Sequence, residues 1–82
     1  MKQRFDITVH RDPQALLRVV GLFAQRSLVP ERLAVERSGD GLRVAIDVTG
    51  LDANGADILV ARLREGVLVI DAARHAAEPV DC

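Results

Sequence analysis

Few residues in this sequence could do covalent or acid–base chemistry, and their spacing gathers none of them. His10 and His75 would meet only if the first and last strands paired, and two imidazoles fall short of a metal site's ligand set. Cys82 is the only cysteine, so no intrachain disulfide forms, and it lacks an evident activating base. Asp52 and Asp57 read as a helix cap and an exposed helical residue rather than an acid–base pair. Gly39-Asp40-Gly41 reads as a turn, since it lacks the strand-to-helix setting of a phosphate loop. Phe5 and Phe23 are the only aromatics and basic residues form no block, which excludes the usual nucleic-acid footprint. No catalytic residue, bound cofactor or metal is therefore expected in this chain.

One stretch could still receive a ligand. Arg11-Asp12-Pro13-Gln14 leads into a helix, and the free N–H groups of a helix start attract carboxylates. Two readings stay open. A small carboxylate ligand uses those groups, or Asp12 satisfies them itself as an N-cap.

The elements that position these residues follow from periodicity. Phe5, Ile7 and Val9 alternate with polar neighbours, giving a half-buried strand over about 4–10. Pro13 suits a first helical position, and Leu16, Val19, Val20 and Phe23 make one apolar stripe along a helix of about 13–27. Arg18 and Gln25 face water. Gly21 costs about 1 kcal/mol in a helix interior and suggests a close neighbour. Glu31 to Arg37 reads as a strand with Leu33 and Val35 inward. A turn over 38–41 leads to the cleanest alternation, Leu42, Val44, Ile46 and Val48. Asp52 caps a second helix of about 53–65, with Ala56, Leu59, Val60 and Leu63 inward and Gly66 stopping it in the left-handed conformation. Val67 to Ala72 reads as the last strand, and the tail from 76 to 82 is expected to fray.

The order strand–helix–strand–strand–helix–strand predicts an α+β, ferredoxin-like βαββαβ sandwich, one domain over 1–75. Both helices would cover one face of a four-stranded antiparallel sheet. The other face would be solvated, carrying Asp6, Thr8, His10, Arg32, Glu36, Arg43 and Asp47 in cross-strand charge pairs. No apolar run reaches the roughly 20 residues a membrane helix needs, and the N-terminus does not read as a signal peptide. A cytoplasmic location is expected. A chain of 82 residues is marginal alone, and association would ease the deficit.

The stretch from Arg11 to Arg26 resembles the opening of an ACT domain. More narrowly, it resembles the regulatory small subunit of acetolactate (acetohydroxyacid) synthase, of the short, valine-insensitive type. There a short loop precedes a helix reading Leu-x-Arg-Val-x-Gly-Leu-Phe, as Leu16 to Phe23 does here. A strand opening Glu-x-Leu-x-Val follows, matched by Glu31 to Val35. Leu63 to Ile70 resembles the family's last helix and strand more loosely. The likeness covers about residues 4 to 74 and is specific over 11 to 35.

The resemblance implies an effector or interface loop made of Arg11, Asp12, Gln14, Ala15 and Val29. It also implies a homodimer through Gly21 on the first helix and Arg32, Leu33, Ala34 and Val35 on the second strand. The chain would regulate a catalytic large subunit, and thiamine diphosphate, magnesium and FAD would belong to that partner. Three departures bear on the ligand. Gln14 stands where the family's loop carries Gly, Arg11 replaces a frequent Asn, and Val29 replaces the Asn that would hold valine's polar end. The departures imply an activating subunit without feedback binding. The alternative is a stand-alone ACT module that binds an amino acid or small carboxylate at a dimer seam.

Overall fold

Alternating side chains set the sheet. β1 (Lys2–His10) buries Phe5, Ile7 and Val9, and β3 (Gly41–Thr49) buries Val44, Ile46 and Val48 on the same side. The computed structural model describes residues 2–76. Two further strands, β2 (Arg32–Ser38) and β4 (Val69–Ala76), complete an antiparallel sheet in the order β2-β3-β1-β4. α1 (Pro13–Gln25) and α2 (Ala53–Arg64) lie on one face of it. The order of elements is the expected ferredoxin-like βαββαβ sandwich. β4 runs to Ala76; the rest of the expected tail, with Cys82, lies outside the described residues.

Both helices start on aspartate caps. Asp12 Oδ1 accepts from the Gln14 N–H at 2.8 Å, and Asp52 Oδ1 from the Gly55 N–H at 2.7 Å. The buried stripe of α1 is Ala15, Val19 and Phe23, with Leu16 and Leu22 packed at its flanks. It is rotated by part of a turn from the expected one, and Val20 is only half-buried. Phe23 meets Phe5 edge to face, 5.1 Å between ring centroids, and ties α1 to the centre of the sheet. The stripe of α2 is the expected Ala56, Leu59, Val60 and Leu63.

Four local expectations are corrected. Leu33 and Val35 share the helix side with Ile46 and Val44, their partners in register, yet remain 46% and 40% exposed. β2 is an edge strand, and the helices pack over β1 and β4 instead. Val67 lies in a turn, and β4 begins only at Val69. Its register against β1 shifts between Thr8 and Val9, which leaves Ile70 as the extra residue of a bulge and exposed. Gly66 does not adopt positive φ; α2 ends on Glu65 with ordinary helical angles. In the β2–β3 hairpin only Gly39 has positive φ. Gly41 is needed for closeness, since a Cβ there would lie 2.6 Å from the Val9 carbonyl oxygen.

Ser27 ends α1 at φ 58, a left-handed position that glycine usually takes. Its N–H donates to the Ala24 carbonyl at 2.9 Å, and Leu28 turns back onto the core. Left-handed backbone costs a non-glycine residue about 1–2 kcal/mol, and glycine's extra freedom when unfolded returns about 0.5–1 kcal/mol of that. Ser27→Gly is therefore expected to stabilise the fold by about 0.5 kcal/mol. A urea titration reads it, and a lower midpoint for the variant would contradict it.

Candidate functional site

The loop between β1 and α1 is closed by its own backbone. The His10 N–H donates to the Leu68 carbonyl at 2.9 Å, and the Asp12 N–H to the His10 carbonyl at 2.8 Å. The Ala15 N–H donates to the Asp12 carbonyl at 2.9 Å, beside the side-chain cap on Gln14. Two N–H groups of this helix start are thus already used, which favours the capping reading over a bound carboxylate. Arg11 and Gln14 are exposed. The Ala15 side chain, by contrast, is 1% exposed and packs in the core.

Val29 is 79% exposed in the connection after α1. The 13 residues of α1 place it about 20 Å from Arg11 and Gln14. Within one chain the proposed loop residues and Val29 are not one site. Arg32, Leu33, Ala34 and Val35 line the free edge of the sheet, all exposed. Gly21 sits elsewhere, in a groove between α1 and the end of α2.

The uncovered sheet face carries a cross-strand charge pair as expected, and one of its residues is buried. Asp47 is 2% exposed, because Arg4 crosses from β1 and grips it, Nε to Oδ1 at 2.8 Å and Nη2 to Oδ2 at 3.2 Å. Sequence reasoning placed Asp47 on this face and missed its partner; the alternation does carry the signal, since Arg4 shares the face of Asp6 and Thr8. These hydrogen bonds hold the Asp47 carboxyl below its ordinary value of 3.8, with burial opposing and the guanidinium's charge assisting. Its folded pKa lies below its unfolded one. The pair's contribution is full above about pH 4 and is lost as pH falls through the folded value. Asp47→Asn is expected to be less stable near neutrality and to show a flatter fall of Tm between pH 5 and 2. Melting curves across that range check it, and parallel profiles for the two proteins would refute it.

His75 Nε2 lies 2.9 Å from Asp6 Oδ2, also on this face. β1 and β4 do pair, but His75 stands opposite Arg4, and His10 is six residues further on, about 20 Å away. The two histidines form no joint site. Asp57, exposed on α2 as expected, accepts from Arg74 Nε at 2.8 Å and braces α2 against β4. Arg74 Nη1 also reaches Gln3 Oε1 at 3.4 Å, while Nε2 of that buried Gln3 has no partner. Among the described residues no group of three or more His, Cys, Asp or Glu could hold a metal ion. Nor is any described helix long and apolar enough to cross a membrane.

The chain matches the family model of the ACT-like domain over residues 1–79. It belongs to the ACT-like domain family. Among solved structures, it is similar to the ACT domain from GTP pyrophosphokinase of Chlorobium tepidum. The crystal structure of that domain gives a TM-score of 0.78 at 9% identity, covering 92% of this chain and 97% of that one. The solution structure of the same domain gives 0.79 at 9% identity, covering 95% and 89%. The C-terminal domain of the MgtC protein from Mycobacterium tuberculosis gives 0.74 at 17% identity, covering 94% and 87%. At these identities the likeness speaks for the fold alone. No curated protein matches the sequence. ACT-like domains are regulatory and not catalytic, and the family suggests a role that includes binding small ligands.

Proposed function

We propose that this ACT-like chain is the non-catalytic small subunit of an acetolactate synthase, activating and stabilising its large subunit in branched-chain amino-acid synthesis. One observation carries the reading: a free sheet edge with Leu33 and Val35 uncovered on its helix side, in a domain whose loop is closed by its own cap. Such an edge suits pairing with a second copy, and the closed loop suits a subunit that binds no valine. The resemblance over Arg11 to Val35 supports acetolactate synthase as the enzyme the pair serves.

In this reading two copies pair through β2, extending one sheet, and the pair works in the cytoplasm. Thiamine diphosphate, magnesium and FAD stay with the large subunit. Purified chain mixed with the large subunit from the same source is expected to co-elute with it and to raise the rate of acetolactate formation. Neither co-elution nor a rise in rate would overturn the proposal.

A second reading has its own support. If two α1 helices ran antiparallel across a two-fold axis, one chain's Arg11 and Gln14 would approach its partner's Val29, the approach a single chain forbids. An amino acid could then bind at that seam. Calorimetry with the amino-acid set separates the readings: heat from valine or a relative favours the sensor, and none favours the activating subunit.

A further inference from the structure

The outer surface between the two helices carries a feature that neither the β2 edge nor the loop between β1 and α1 accounts for. Half-buried Gly21, Leu22 and Gly66 floor a groove of about 360 Å³ there, open to solvent along its length. An adjoining hollow shares Leu22, Gln25 and Arg62 with it and brings in Arg26. Arg18, Arg26 and Arg62 stand exposed around this floor, and none forms an ion pair among the described residues. Glu65 is the one carboxylate in the lining. The chain as a whole has net charge −1, so this is a local concentration of positive charge. It arises because two helices far apart in sequence deliver their arginines to one place.

Gly21 adds an independent argument. Glycine in a helix interior costs about 1 kcal/mol against alanine. A Cβ at this position would meet nothing within 4 Å, so packing within the chain gives no reason for glycine. The missing side chain leaves room for something from outside to approach the α1 backbone. A groove this open would bury little of a small molecule. It fits the mode in which a helix lies along a groove, with a small residue over the glycine and carboxylates toward the rim.

We propose that the groove between α1 and α2 docks an acidic amphipathic helix of another polypeptide. The inference does not rest on the acetolactate synthase reading. A display library of helical peptides panned against the full chain tests it. Enriched peptides are expected to be acidic along one flank and to carry Ala, Ser or Gly at the contact. Their affinity should fall at least about tenfold on Gly21→Leu and on Arg62→Glu, and stay unchanged on Arg43→Glu, which lies on the sheet face. Gly21→Leu should melt higher than the parent, so its lost binding is not lost folding.

Enrichment of no acidic helix, or peptides that bind both groove variants as tightly as the parent, would overturn the proposal. A DNA duplex released by Arg62→Glu but not by Gly21→Leu would overturn it too, since a polyanion needs the charge and not the gap.

Discussion

Phe23→Ala is expected to remove about 3–5 kcal/mol of stability, the cost of emptying a large aromatic site in a core. Phe23 is fully buried and contacts Phe5 edge to face at 5.1 Å, so its ring carries both apolar area and a specific pairing. It is also the last inward residue of α1, one turn before the left-handed Ser27. Losing it frees the end of the helix as well as opening a cavity. A domain of this size holds roughly 4–12 kcal/mol in total, so the variant should lose about a quarter of its stability or more. Phe23→Leu, which keeps most of the volume, should lose only about 1 kcal/mol. Denaturant titrations of the three proteins check this ordering. A Phe23→Ala midpoint near that of the parent would mean that α1 is not docked on the sheet as described.

The second large effect concerns association. The double variant Leu33→Lys, Val35→Lys is expected to weaken self-association by at least about 100-fold, near 2.8 kcal/mol, while changing the melting temperature of the single chain little. Both side chains are exposed in one chain, so lysine there costs the fold roughly 0.5 kcal/mol or less. In a two-fold pair each position counts twice, and charge on a free edge opposes strand pairing. Analytical ultracentrifugation over a concentration series separates the outcomes. A parent that is monomeric throughout, or a variant that stays dimeric, would remove the β2 edge from the proposal.

The architecture was legible from local pattern wherever an element faces a single environment. β3 alternates cleanly because one side is core and the other is the open face; Asp52 and Asp12 mark the helix starts because orphan N–H groups demand an acceptor. The misses share another cause. Leu33 and Val35 alternate like core residues, and nothing local says that β2 ends at the margin of the sheet with no helix above it. Val67 and Ile70 sit in an apolar run that reads as strand, yet one lies in a turn and the other in a bulge set by pairing with β1. Ala15 looked available because it is near the loop in sequence, while the phase of α1 turns it into the core. The candidate site was less legible still. Arg4 with Asp47, and Arg18, Arg26 and Arg62 around the groove, are brought together only by the tertiary fold.

The place of β1 in the sheet bears on how the chain is made. It precedes the domain's other strands in sequence, and it lies between β3 and β4, with Gln3 paired to both Val48 and Ala76. Until the last strand is synthesised, β1 has one flank unpaired and a buried face of Phe5, Ile7 and Val9 only partly covered. While the domain is being made, it therefore carries a sticky, half-finished sheet, whose closure waits on pairing between strands at opposite ends of the fold.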